Sequence, residues 1–248
     1  VIGDDIDSKD FKNLLEKHDI NKSYVYNILK RKTTVKTRII AGSHQMLRID
    51  SETVEPIDNF LENEIIKELA HLITEYDGII LSDYGKGFLT ETLIKFVINT
   101  ANDNNIPIFV DPKPINAHNY INVWGMTPNH KEAKKIASIF SKTNEIEKMG
   151  NKILNELNCK YLIITLGEKG MKLFERNKDS IEIPATAKSV FDVTGAGDLV
   201  ISILTLGISS GLSFYDAAYI ANTAAGIQVS KFGNVSVTID EIKNALLS

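Results

Sequence analysis

The chain has 248 residues, enough to bury a sizeable core, and suits one large domain or a domain with a small appendage. Its 43% hydrophobic and 24% charged residues are ordinary for a globular protein, and a net charge of −4 argues against a nucleic-acid-binding surface. A single cysteine, Cys159, excludes an internal disulfide and a cysteine-rich zinc site, and reads as a small buried apolar residue.

No apolar run reaches the length of a membrane span and no basic-then-apolar leader opens the sequence, so the default expectation is a cytoplasmic protein. The chain begins VIGDD, an apolar pair running into Gly-Asp-Asp, which reads as the end of a strand. It is therefore expected to start inside an element. Residues 33–50 (TTVKTRIIAGSHQMLRID) alternate polar and apolar about Ala41-Gly42, predicting two half-exposed strands that form a small antiparallel flap.

Helical patterns cover 58–75 and 90–104, with Asp58 and Thr90 as N-caps and Asn105-Ile106-Pro107 as a stop. Two more cover 130–140 and 145–157. Between them lie compact β-branched runs at 79–82, 106–110 and 161–166, the pattern of strands buried on both faces. Residues 195–248 are almost wholly helical in pattern, interrupted at 209–213 and 231–237. Such alternation predicts an α/β fold, a mostly parallel sheet with helices on both faces. No internal repeat or low-complexity tract divides it, so one domain is expected.

In an open α/β sheet, ligands bind beyond the carboxyl ends of the strands. Polar loops follow the apolar runs there: 82–87 (SDYGKG), Asp111-Pro112-Lys113, Thr127-Pro128-Asn129 and Thr165-Leu166-Gly167. A further stretch, VFDVTGAGDLV at 190–200, sets a Thr-Gly-Ala-Gly core between two aspartates just before a long apolar run. A helix start leaves its first N–H groups unpaired and carries partial positive charge, so Gly195, Ala196 and Gly197 suit an anion. Asp198 lies beside them, which points to phosphoryl transfer.

The common phosphate loops are missing: there is no G-x-x-x-x-G-K-[ST], and no G-x-G-x-x-G follows an early strand. Neither H-E-x-x-H nor a Cys/His cluster suggests zinc. The five histidines, His18, His44, His71, His118 and His130, are scattered and read as surface residues.

The motifs DVTGAGD, Asn129-His130-Lys131-Glu132, TLGEKG at 165–170 and ANTAAG at 221–226 resemble those of the ribokinase-like (PfkB) carbohydrate kinases. More narrowly, the 33–50 segment with LSDYGKG, VDPK, TPNHKE and VFDVTGAGD is similar to bacterial heptose-7-phosphate kinases, the kinase half of a bifunctional protein that makes ADP-heptose. The likeness runs in order from about residue 1 to 240. It implies a ribokinase-like kinase domain lacking its N-terminal strands, with the flap around 33–50.

The resemblance implies ATP-dependent phosphorylation of the anomeric hydroxyl of a heptose 7-phosphate, on the route to lipopolysaccharide heptose. Another sugar kinase of the family, or a catalytically weak nucleotide-binding fragment, are the alternatives. Asp198 would be the general base, and Gly195, Ala196 and Gly197 would stabilise the migrating phosphoryl group. Asp192 would shape the turn and Thr194 would cap the helix. ATP would contact Asn129, His130, Lys131, Glu132, Thr165, Gly167, Gly170, Asn222 and Gly226. The Asn129–Glu132 pair is used near Mg²⁺, often through water, so no direct protein ligand to the metal is predicted; the same spacing also reads as a simple capping pair. A small-residue helix like ANTAAG equally suits close packing.

For the sugar phosphate, the cationic candidates are Arg38, Arg48, Lys86 and Lys113, with Asp83 in the same group of substrate contacts. The flap is expected to cover the sugar and to pair with a second subunit's flap as a homodimer. Leu199 stands where the family usually has Thr or Ser, and PINAHN at 114–119 replaces the usual Gly-x-Asp segment.

Overall fold

The computed structural model describes residues 1–41, 44–187, 189–231, 233 and 235–247, the side chains of 44 and 45 excepted. The turn expected at Gly42 lies outside the described residues. The chain divides into two compact units, Val1–Asp58 with Gly85–Thr90, and Asn59–Tyr84 with Glu91–Ser248.

The first unit holds one helix, α1 (Ile6–Lys17), and an antiparallel ribbon, β1 (Val35–Ala41) with β2 (His44–Ser51). The opening is less strand-like than its sequence suggests, because Ile2 makes only a single parallel bridge to Asn27. Asp5 instead starts α1. Its carboxylate accepts from the Ser8 N–H at 2.9 Å and also takes the Thr33 N–H and hydroxyl at 2.8 and 2.7 Å. Those bonds hold the Asp5 carboxyl below its usual range, the Thr33 hydroxyl contributing most. Within the ribbon the pleat separates two faces. Arg38 stands opposite Arg48 and Lys36 opposite Asp50, while the alternate pairs are Thr37 with Ile49 and Ile39 with Leu47.

The second unit is built on a six-stranded sheet in sequential order: β3 (Ile79–Ser82), β4 (Ile108–Asp111), β5 (Gly125–Met126), β6 (Tyr161–Thr165), β7 (Met171–Glu175) and β8 (Ile181–Ile183). β3 to β6 are parallel and β6 to β8 antiparallel. The helices are α2 (Asn59–Leu72), α3 (Glu91–Asp103), α4 (His130–Phe140), α5 (Ile146–Glu156), α6 (Ala196–Ser209), α7 (Phe214–Val229) and α8 (Ile239–Leu247). The sequence pattern thus finds its parallel strands and helices, whereas the short β5 and the β7–β8 hairpin escape it.

Alternation along β7 shows why both faces need helices. Leu173 and Met171 join Val200, Ile201, Leu204, Ala217 and Ala221 of α6 and α7 in one buried cluster. Phe174 points the other way, so close to α5 that a Cβ on Gly150 would stand 2.3 Å from its ring. Each side chain is buried because a helix covers its face, worth about 1.5–3 kcal/mol for a large apolar group. Cys159 is wholly buried, and burial pushes its thiol up to about 12, as an inert packing residue requires. No helix among the described residues is long and apolar enough to cross a membrane.

Candidate active site

Parallel strands in register end together, so the loops after β3, β4, β5 and β6 emerge at one edge of the second unit. Ser82 pairs with Asp111, Val110 with Met126, Met126 with Leu162, and Asn129 bridges to Thr165. Asp83, Asp111, Lys113, Asn129, Glu132 and Thr165 follow from that register.

The start of α6 joins this edge. The turn before it is pinned on the end of α7, where the Phe191 N–H donates to the Val229 carbonyl at 2.7 Å. Asp192 accepts the Thr194 N–H at 2.9 Å and so shapes the turn. Thr194 is not the cap it was expected to be. Gly195 occupies that place, at φ 80°, and no side chain caps the helix. A Cβ would strain there, so the left-handed cap favours glycine.

The Leu199 N–H makes the first helical bond, to the Gly195 carbonyl at 2.9 Å, and the Ala196 N–H reaches Val193 at a long 3.3 Å. The amides of Gly197 and Asp198 precede the first helical donor and so have no intrahelical acceptor. Around Gly197 nothing lies within 4 Å of where a Cβ would stand, and both it and Asp198 are exposed. The turn is open to solvent and not sealed by packing.

Asp198 has a partner that sequence reasoning missed. The Tyr84 hydroxyl donates to its Oδ1 at 3.0 Å across 114 residues of sequence. Burial raises the Tyr84 phenol above its ordinary pKa; a hydrogen bond from Ser82 opposes this, and the Asp198 charge adds to it. LSDYGKG was read as a polar loop, and nothing within it announces a partner that distant.

Behind Tyr84 lies a fixed support. Asp83, expected to touch substrate, is only 2% exposed. Its Oδ2 accepts from Asn116 at 2.8 Å and from the Tyr120 hydroxyl, and its N–H donates to the Asp111 carbonyl at 3.1 Å. These bonds hold the loop after β3 in place. Tyr120 is held far above its ordinary pKa by burial and by that bond to Asp83.

Asp111 is raised to about 6, chiefly by burial; Lys113 works against the rise, while Glu132, Asp198 and Asp83 add to it. Lys113 bonds Glu132 at 2.7 Å. Burial alone would lower Lys113, but Glu132, Asp111 and Asp83 outweigh that and keep it above its usual value.

Asn129 and Glu132 form a complete capping box on α4. The Asn129 side chain accepts the Glu132 N–H at 3.0 Å, and Glu132 accepts the Asn129 N–H at 3.1 Å. His130 and Lys131 sit exposed in the same first turn. Thr165 is half-buried at the end of β6, Gly167 is exposed, and Gly170 is buried at φ 87° against the Ile183 carbonyl. Asn222 donates to the Pro184 carbonyl at 2.8 Å from a buried position, and Gly226 leaves room for the Thr186 side chain. Of the cations in the first unit, Lys86 is paired with Glu52, and Arg48 with Asp50 at 2.9 Å. Arg38 is exposed on β1.

Among the described residues no group of three or more His, Cys, Asp or Glu side chains is arranged to hold a metal ion.

An α/β sheet of this order, with an open glycine-capped helix start and a carboxylate beside it, defines a ribokinase-like protein. In fold it matches the ribokinase of Giardia lamblia, at 17% identity and a TM-score of 0.79 over 99% of this chain and 80% of that one. Ribokinase of Arabidopsis thaliana, solved with ribose and ATP, is similar at 17% identity and a TM-score of 0.78, over 99% and 80% of the two chains.

Residues 1–241 match the family model for pfkB family carbohydrate kinases, and the chain belongs to that family. Bifunctional protein HldE of Citrifermentans bemidjiense is 40% identical over 98% of this chain and 50% of its own length. The HldE protein of Aliarcobacter butzleri is 39% identical over 98% of this chain and 51% of its own. The chain spans about half the length of the curated relatives it matches.

Proposed function

We propose that the chain transfers the γ-phosphoryl group of ATP to the anomeric hydroxyl of heptose 7-phosphate, giving the 1,7-bisphosphate and ADP. The observation that carries this reading is the exposed Asp198 carboxylate on a helix start whose amides have no side-chain cap. The similarity to HldE proteins along nearly the whole chain supports the choice of sugar. The product would feed lipopolysaccharide heptose.

Asp198 takes the proton of the anomeric hydroxyl as its oxygen bonds to the γ-phosphorus. The bond from that phosphorus to the β–γ bridging oxygen breaks, and the oxygen keeps the electron pair and leaves with ADP. The amides of Gly195, Ala196 and Gly197 face the charge on the transferred group, those of Gly195 and Gly197 foremost, since Ala196 already leans on Val193. Asn129, His130, Lys131, Glu132, Thr165 and Gly167 form the nucleotide side. Mg²⁺ would neutralise phosphate charge. The oxygens of Asn129 and Glu132 are engaged in the capping box and with Lys113, so these residues fit a hold through water.

For the sugar phosphate, the first unit offers Arg38 facing Arg48 across the ribbon. Like charges directly opposite cost stability, and a phosphate dianion offsets that cost. On the other face Ile39, Leu47 and Ile49 are 46%, 52% and 52% exposed. That unpartnered apolar stripe suits pairing with the same ribbon of a second copy, with the ribbon as the flap of one kinase domain.

The test is ADP release by the full-length protein across sugar phosphates. Turnover with heptose 7-phosphate well above that with ribose or fructose 6-phosphate supports the reading. The reverse order assigns the chain to another sugar within the family. Sedimentation of a Leu47→Lys variant checks the pairing, which predicts that a dimer becomes a monomer.

A further inference from the structure

We propose that Tyr84 is a positioning residue for the proton-accepting carboxylate, its hydroxyl clamping one oxygen of Asp198 so that the other is presented to the acceptor. The inference rests on the reading of Asp198 as the base. An exposed aspartate in the first turn of a helix has several rotamers and a shell of water, yet a general base must sit within hydrogen-bond reach of one particular proton. The Tyr84 bond to Oδ1, at 3.0 Å, selects one orientation and leaves Oδ2 for the sugar.

The clamp works only if the tyrosine is itself fixed. The tyrosine stands two residues past Ser82, the last residue of β3, so its backbone leaves directly from the sheet. Its chain neighbour Asp83 is tied to Asn116, Tyr120 and the end of β4. The ring is thus mounted on the sheet edge, while the base is mounted on α6. A contact between two rigid elements can hold an angle that neither holds alone.

A double-mutant cycle in the full-length protein tests this, reading kcat and KM with the best sugar phosphate acceptor. Tyr84→Phe keeps the ring and removes only the donor. It is expected to lower kcat about tenfold, the worth of one hydrogen bond to a charged group, with KM for ATP and sugar changed less than about twofold. In an Asp198→Asn background the same substitution is expected to change kcat less than about twofold, because the clamp has no base left to orient. An equal loss in both backgrounds, or an unchanged kcat for Tyr84→Phe alone, overturns the clamp and leaves Asp198 as base intact. Asp198→Asn turning over like the wild type overturns the base, and the clamp falls with it.

Discussion

Two helices begin at the same edge of the sheet, and they treat their first amides in opposite ways. α4 closes on itself: Asn129 and Glu132 satisfy each other's backbone N–H groups. α6 begins on a left-handed Gly195 with no side-chain cap and nothing within 4 Å of a Cβ on Gly197. A helix start capped by its own sequence is finished as structure. One capped by glycine keeps donors and dipole for something that arrives. The difference sets a start whose amides can meet the transferred phosphoryl group directly against one that can reach the nucleotide only through side chains and water.

The sharpest break of this contrast comes from the carboxylate of the open start. Asp198→Asn is expected to lower kcat by about 10²–10⁴-fold, the range for a lost general base, while the fold melts as before. Steady-state kinetics beside a thermal melt check it, and a variant that keeps its turnover removes the chemistry from α6.

Asp111 feels both starts, since Glu132 of α4 and Asp198 of α6 each add to its raised pKa. A carboxyl raised to about 6 from 3.8 binds its proton more tightly folded than unfolded. Stability therefore falls as pH climbs between those values, and the penalty is complete above about 6. Asp111→Asn is expected to be more stable than the wild type by about 3 kcal/mol at pH 8 and equal to it below pH 4. Urea unfolding at the two pH values reads this, and a gain that does not depend on pH would deny that charge is the cause.

Gly195→Ala tests the geometry of the open start. Its φ of 80° should cost about 1–2 kcal/mol in the melt and turnover besides, since the amides lose their aim. Asn129→Ala tests the closed start and is expected to cost about 1 kcal/mol of stability and to raise KM for ATP more than it lowers kcat. An unchanged KM for ATP would remove Asn129 from the nucleotide side.

Much of this was legible in the chain. IILS and the helix after TPN coincide with β3 (Ile79–Ser82) and α4 (His130–Phe140), because a compact apolar run and a capped amphipathic run are local signals. The open turn was legible too, since glycines beside an aspartate speak directly about side-chain bulk. α1 was not legible: its only buried residue is Ser8, and Ile6 and Leu14 lie exposed, so no apolar face marks it. β5 has two residues and β7–β8 turn back antiparallel, too short or too contextual for periodicity to show.

Sequence alone determined the fold class, the parallel strands and the bare turn with its aspartate, since these depend on propensity, spacing and residue size within a few positions. Only tertiary structure decided that Asp83 is buried, that Gly195 rather than Thr194 caps α6, and that Tyr84 holds Asp198. Those are contacts between segments far apart in the chain, and a hydrogen bond's partner is chosen by where the packed elements bring it, not by its neighbours in sequence.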